Sequence, residues 1–440
     1  MNPELLRNLW LEAQPLRLAL IAGLLLLVFA ATSAANGLVP SGGVALALYW
    51  FFAVLWGTRS AALAVVGEIR ERTWDGQKLS AIGPWQMMWG KLLGATSANW
   101  FGAVLCLVVI VASAWRESGP ANALSFGAIL AAQGLFAQAV ALLSSLMLIR
   151  RQSGNWRLDT FLCQVAGVGA AFAYYSLWSS VDAFLRSGAE TVNWWGHDFN
   201  LSAFHFVSLL LFLGWALVGC YRAMRAELRF ANGPWVWLAW LLYLCVYDAG
   251  FAPEIEGRLA VLSAMPPASV KLALAGLALL GSAYGMAFLE PKDPVRLRWL
   301  AEQAQAGNLF TAFLALDAWM LSYGATFVVG LLLAAMWVAG NPALALAVLA
   351  MLGFLTRDIA IFVLMRGLAG ARGDFGALAV LGALYLLAPV ILSGLGFRAL
   401  DFLFLPTPQA ADLALLAGWV QGIGAAIWAV RSIRRAFTGR

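Results

Sequence analysis

Long apolar runs separated by short polar clusters fill the chain from end to end, and about 20 consecutive apolar residues suffice for a helix to cross a bilayer. Read this way, the sequence predicts twelve spans, over residues 16–35, 43–67, 84–114, 123–149, 158–181, 204–221, 234–250, 270–289, 309–339, 343–365, 375–395 and 411–430. Pro253, Pro266 and Pro267 interrupt the pattern around the seventh and eighth. Two stretches have a different rhythm. In residues 3–14, Leu5, Leu6, Leu9 and Trp10 recur at helical spacing with Arg7 and Glu12 off that face, and residues 291–305 repeat the habit. Both predict helices lying in the membrane interface. The first span is not a cleavable signal, because an amphipathic helix precedes it and another apolar run follows closely. The expected fold class is therefore an all-α polytopic membrane protein with an N-terminal interfacial helix.

Composition agrees with the pattern. Hydrophobic residues make up 62% of the 440 and charged residues 11%, with a mean hydropathy of +0.81, whereas a soluble domain carries about 25% charged residues. No window is polar enough to form a soluble domain, so a large periplasmic part that pulls on lipoproteins is not expected. The net charge of +6 sorts by side. With both termini inside, roughly 23 of the 28 Lys and Arg residues fall in or beside cytoplasmic loops, leaving Arg116, Arg186, Arg258, Lys271 and Arg398 outside. The bilayer is thus the expected partner of the basic residues, and nucleic acid is not required.

The densest polar island spans residues 67–93. Glu68, Arg70, Glu71, Arg72 and Asp75 crowd the end of the second span, a short amphipathic piece carries Trp74, Lys78, Leu79 and Ile82, and Gly83-Pro84 restarts a helix. A solvated helix end with a Glu68–Arg72 pair worth a few tenths of a kcal/mol accounts for part of it. The order of features accounts for more: a charged turn, a short helix and a proline-initiated span present a rigid apolar ridge to a partner while the backbone stays satisfied at the bilayer edge.

Other chemistry is sparse. Gly90-Lys91 is not a phosphate loop, since Trp85 stands where the first glycine is required and Leu92 where a Ser or Thr would hold magnesium. Cys106, Cys163, Cys220 and Cys245 lie singly in spans, which reads as packing, and with His197 and His205 the only histidines no metal site follows from spacing. Asp317 falls a third of the way along the ninth span, where a carboxylate is either a functional group or one neutralised by a neighbouring helix. Arg59 and Arg357 follow Thr at two to three turns from the expected cytoplasmic ends, a depth from which their side chains reach the interface; Asp358 is a candidate partner of Arg357.

A weak internal echo relates residues 7–14 to 296–305 and residues 55–65 to 353–363. Trp10 to Trp299 is a shift of 289 and Thr58 to Thr356 one of 298, so the echo is either a degenerate two-fold repeat with an insertion or chance likeness among apolar helices. A true repeat divides the chain into residues 1–290 and 291–440 and places Arg366, Arg372 and Asp374 at the equivalent of the charged hairpin.

Residues 67–94 resemble the signature region of type-2 ABC exporter permeases. Glu68, Thr73, Asp75, Leu79, Pro84, Gln86, Gly90 and Lys91 match that pattern in order. The likeness is specific over about the first hundred residues and topological beyond. It implies that the short helix with Glu68, Arg70, Glu71, Arg72, Thr73, Trp74, Asp75, Lys78, Leu79, Ile82 and Pro84 is a coupling helix seated in a separate ATP-binding subunit, expected in two copies per transporter, and that residues 3–14 form an elbow helix. In that reading Trp74, Leu79 and Ile82 supply apolar contact and the charges set register. ATP and magnesium belong to the partner, this chain binds no cofactor and is no enzyme, and the location is a bacterial inner membrane. Family members commonly have six spans per half, so twelve imply two fused halves or an enlarged protomer that pairs with a second permease chain. Arg366, Arg372 and Asp374 become a second coupling loop. The rival reading from another class is an ion-coupled secondary transporter with a pathway through Asp317, Arg59 and Arg357; a membrane-embedded transferase using Glu190, His197 and Asp198 comes third.

Overall fold

In the computed structural model, residues 2–36, 38–149, 156–185, 191–256, 266–370 and 373–438 are described. Arg186, Glu190, Arg258 and Arg372, named above, lie outside them. Among the described residues eleven helices are long and apolar enough to cross a membrane, and the chain is an all-α polytopic membrane protein. The fifth expected span falls on a 30-residue helix, Trp156–Leu185, which is not among the eleven.

The chain divides into two compact units, residues 1–192 with 199–232, and residues 193–198 with 233–440. The division falls near residue 233, whereas the sequence echo drew it at 290–291. In the first unit, α1 (Pro3–Glu12) precedes α2 (Pro15–Asn36), α3 (Ser41–Arg70), α4 (Trp74–Lys78), α5 (Pro84–Trp89), α6 (Ser97–Ser118), α7 (Pro120–Ile149), α8 (Trp156–Leu185) and α9 (Leu201–Glu227). A core of Ala61, Val65, Met87, Leu92, Leu142, Leu146, Leu209, Leu213 and their neighbours joins α3, α5, α7 and α9. In the second unit, α10 (Trp235–Ile255) and α11 (Pro267–Leu289) lead to the amphipathic α12 (Pro294–Gln305) and short α13 (Leu309–Leu314). There follow α14 (Ala318–Trp337), α15 (Pro342–Ala369), α16 (Gly373–Gly394) and α17 (Ala411–Thr438). Helices α15 and α17 cross with almost no side chain between them: a Cβ on Gly353 would lie 2.7 Å from the Gly418 carbonyl carbon, and one on Gly422 2.6 Å from the Gly353 oxygen. Such small-residue crossings are a main source of helix association in lipid, where burial of apolar surface supplies little.

Two expected spans are broken. The third is not continuous from residue 84 to 114: α5 ends at Trp89, residues Gly90–Gly94 form a π-helical turn, and α6 starts at Ser97. The ninth breaks before Asp317, which stands at the N-cap position of α14, pairs with Arg296 at 2.9 Å and so lies at a helix start rather than inside a span. An uncompensated carboxylate inside an apolar helix is expensive, whereas at a helix N-terminus the aligned peptide dipoles favour it.

Both amphipathic helices start alike. Asn2 caps α1 by accepting from the backbone of Glu4 (3.1 Å) and Leu5 (3.3 Å), with Pro3 at the first helical position; Asp293 caps α12 by accepting from Val295 (2.9 Å), with Pro294 following. These are the residue types that satisfy orphan N–H groups and preset the helical φ.

Candidate functional site

The hairpin between α3 and α6 is built on a buried charge cluster. Helix α1 turns Glu4 and Asn8 inward and leaves Trp10 and Leu11 exposed, the outward apolar face of an interfacial helix. It lies against the turn after α5 because Gly90 and Gly94 have no side chain: a Cβ on Gly90 would sit 2.5 Å from Glu4 Cγ, and one on Gly94 2.6 Å from Asn8 Cβ. The Asn8 amide donates to the Glu4 carboxylate (3.0 Å) and to the Gly90 carbonyl (3.2 Å), and Asn2 donates to the Gln86 carbonyl at 2.6 Å.

Lys91, 0% exposed, is the centre of this cluster. Its ammonium donates to Glu4 (3.3 Å), to the Ala64 carbonyl (3.2 Å), to Gln77 Oε1 (3.0 Å) and to Glu68. Glu68 also accepts from Gln77 Nε2 at 2.6 Å and from Arg7. Burying a charge is costly unless it is paired and its hydrogen bonds are satisfied, and here two acids face two bases. Gly90-Lys91 is thus a structural tie rather than an anion-binding loop.

The hairpin rises from this base. Helix α3 ends at Arg70, and two residues on Arg72 has a φ of +59°, the left-handed conformation that glycine more often supplies after a helix; the Thr73 backbone N–H then donates to the Glu68 carbonyl at 2.9 Å. The expected Glu68–Arg72 pair is not made, because Glu68 turns inward. Trp74, 3% exposed, belongs to the core and lies beneath the ammonium groups of Lys91 (5.0 Å to the ring centre) and Lys78 (5.6 Å). This corrects the assignment of Trp74 to the contact ridge: a large aromatic ring next to buried cations is more stable covered than displayed. Ile82 also packs on the core.

What remains outward is Leu79, 88% exposed, Asp75, 91% exposed at its side chain, and the exposed Arg70, Glu71, Arg72 and Thr73. Arg70 rests on the ring of Trp156 at 4.7 Å. Lys78 pairs with Asp75 and with Glu227 at the end of α9, each at 3.6 Å. Beside it a shallow recess of about 280 Å³ is lined by Asp75, Lys78, Leu79, Glu227, Leu228 and Arg229. Pro84 opens α5 and is half-buried.

Among the described residues of the second unit there is no such projection. Asp374, expected on a second coupling loop, is 0% exposed and accepts from Lys292, also 0% exposed, at 2.8 Å; Arg366 lies 3.6 Å from its other oxygen. Gly373 is wedged against α15, where a Cβ would meet the Met365 oxygen at 2.2 Å. Arg366 and Asp374 therefore hold two helices together and present no docking surface.

The expected Arg357–Asp358 pair is made, within a second polar site whose other members sequence reasoning missed. Arg357 and Asp358 sit at the middle of α15, 3% and 0% exposed. Arg357 does not reach out to an interface, as its depth had suggested; its Nε donates to Asp358 at 2.8 Å and its Nη1 to Gln421 at 2.8 Å. The other Asp358 oxygen accepts from the hydroxyls of Tyr284 and Tyr385, each at 2.6 Å. Arg59, by contrast, is exposed. The adjacent Arg-Asp within an apolar run was the available signal; its partners come from α11, α16 and α17, which no local pattern links. Of the transferase candidates, His197 is exposed and Asp198 accepts from Asn193 at 2.9 Å. Cys106, Cys163 and Cys220 are buried, as packing requires, and no group of His, Cys, Asp or Glu among the described residues forms a metal site.

Compared with known proteins, the chain matches no family model, no curated protein and no solved structure.

Proposed function

We propose that this chain is the membrane-spanning permease of an ATP-binding cassette exporter, driven by a separate ATPase subunit that docks on the hairpin of residues 71–83. One observation carries the reading: a base fixed by Lys91, Glu68, Glu4 and Gln77 supports a tip where Leu79 and Asp75 are almost fully exposed. A rigid base with an exposed tip is what transmits a partner's movement, since motion of α4 must then move α1, α3 and α6 through the buried cluster. Leu79 provides the apolar contact, Asp75 and the neighbouring arginines set register, and Trp74 acts from below as part of the support. ATP and magnesium are held by the ATPase, in two copies per transporter. The hairpin and both termini face the cytoplasm of a bacterial cell.

Affinity purification in detergent tests this. The wild-type chain should bring down a subunit that hydrolyses ATP, and Asp75→Arg with Leu79→Glu should lose it at an unchanged melting temperature. An ATPase retained by the variant, or none with the wild type, overturns the reading.

A carrier driven by an ion gradient is the second reading, favoured by the mid-helix Arg357–Asp358 pair rather than by Asp317, which stands at a helix start paired with Arg296. Uptake into vesicles that hold a proton gradient and no ATP separates the two.

A further inference from the structure

The Arg357 guanidinium is held more firmly than pairing with Asp358 requires. Asp358 already has three donors, from Arg357 Nε, Tyr284 and Tyr385. Gln421, which accepts from Nη1, is itself fixed by donating to the Leu403 carbonyl at 2.8 Å. The guanidinium carbon lies 4.8 Å from the ring centre of Phe354 and 5.2 Å from that of Tyr385. Tyr385 reaches it from a π-helical turn, Ala383–Leu387, inside α16, and turns of this kind concentrate at functional sites because they re-aim side chains. Yet Nη2 is buried and has no hydrogen-bond partner in the protein.

An ion pair kept only for packing should have its donors satisfied, because an unpaired charged donor inside a membrane protein is expensive. Nη1 and Nη2 form the edge of guanidinium that matches a carboxylate or phosphate with two parallel hydrogen bonds. Asp358 occupies Nε, and the aromatic walls fix the plane. Around this edge Tyr284, Tyr385 and Gln421 are half-buried, so the cluster is covered but not sealed.

We propose that Arg357 is the recognition element of an oxyanion site inside the second unit, which takes the carboxylate or phosphate group of a ligand with Nη2 as first donor and Nη1 as second, released from Gln421. Asp358 and its two tyrosines position the guanidinium. The site rests on α15 as a membrane span and is independent of the ATPase reading.

Equilibrium binding of radiolabelled dodecyl phosphate and dodecanoate to the full chain in nanodiscs of neutral lipid tests this. At least one probe should bind saturably, and Arg357→Lys, which keeps the charge but removes the planar edge, should weaken it at least tenfold, while Arg59→Lys leaves it unchanged. Competition by inorganic phosphate or acetate identifies a free solute as the source, and its absence an amphiphile; either supports the site. If Arg357→Lys fails to fold, Gln421→Leu replaces it: freeing Nη1 should tighten binding several-fold. No saturable binding of either probe, full affinity in Arg357→Lys, or unchanged or weaker affinity in Gln421→Leu overturns the proposal.

Discussion

The two units solve one problem with opposite charges. In each, a residue at or just before the start of the amphipathic helix, one near the end of a long span and one in the turn or helix that follows it meet in a buried cluster. In the first unit these are Glu4, Glu68 and Lys91; in the second they are Lys292, Arg366 and Asp374. The sign is inverted at every corner, so the position of the tie is common to both units while its chemistry is not. The difference that matters lies between the second and third corners. The first unit inserts residues 71–83, a hairpin with an exposed tip, where the second passes from Ala369 to Gly373 through residues 370–372. A buried tie is thus structural in both units, and among the described residues the first alone carries a projection, the one proposed to dock a partner.

The largest effect should come from cutting a tie. Lys91→Met takes from Glu4 and Glu68 their buried cation and leaves them only the more exposed Arg7, and loss of one partner of a buried pair costs about 3–5 kcal/mol. Lys292→Met should cost a similar amount through Asp374. Thermal unfolding in detergent measures both, and a mild loss at one position would break the parallel. Next is Gly90→Ala, whose Cβ meets Glu4 and the Leu5 backbone nitrogen at 2.8 Å; overpacking of this kind costs about 1–3 kcal/mol. Gly373→Ala is its counterpart, and each should be relieved only by movement of its own helix contact.

At the tip, Leu79→Glu should change stability by less than about 0.5 kcal/mol and reduce ATPase capture at least tenfold, as seen in the amount of bound subunit. The smallest effect should be that of Arg72→Gly. The substitution relieves a left-handed φ of +59° and should stabilise the chain by up to about 1 kcal/mol, read as a slightly higher melting temperature.

Hydrophobic pattern was enough to reveal the spans, both amphipathic helices and the place of the hairpin, because each is a local property of the sequence. It did not reveal which way residues faced. Trp74 lies in a polar island yet points inward, since its neighbours Lys91 and Met87 come from beyond the hairpin; Glu4 and Asn8 form the buried side of the interfacial helix, opposite its exposed Trp10 and Leu11. Asp317 was placed inside a span because an apolar window averages over a break, and Arg296, which pairs with it, belongs to another helix. Arg357 and Asp358 were visible as charges, but their role depends on Tyr284, Tyr385 and Gln421, all more than 25 positions away.

The most direct test of the docking hairpin places a photo-crosslinking amino acid at Leu79 and, separately, at Gly370 in the corresponding connection of the second unit. The account predicts that irradiation of intact cells joins the chain at residue 79 to an ATP-hydrolysing subunit and gives no such product at residue 370. Equal products at both positions, or none at residue 79, would contradict it.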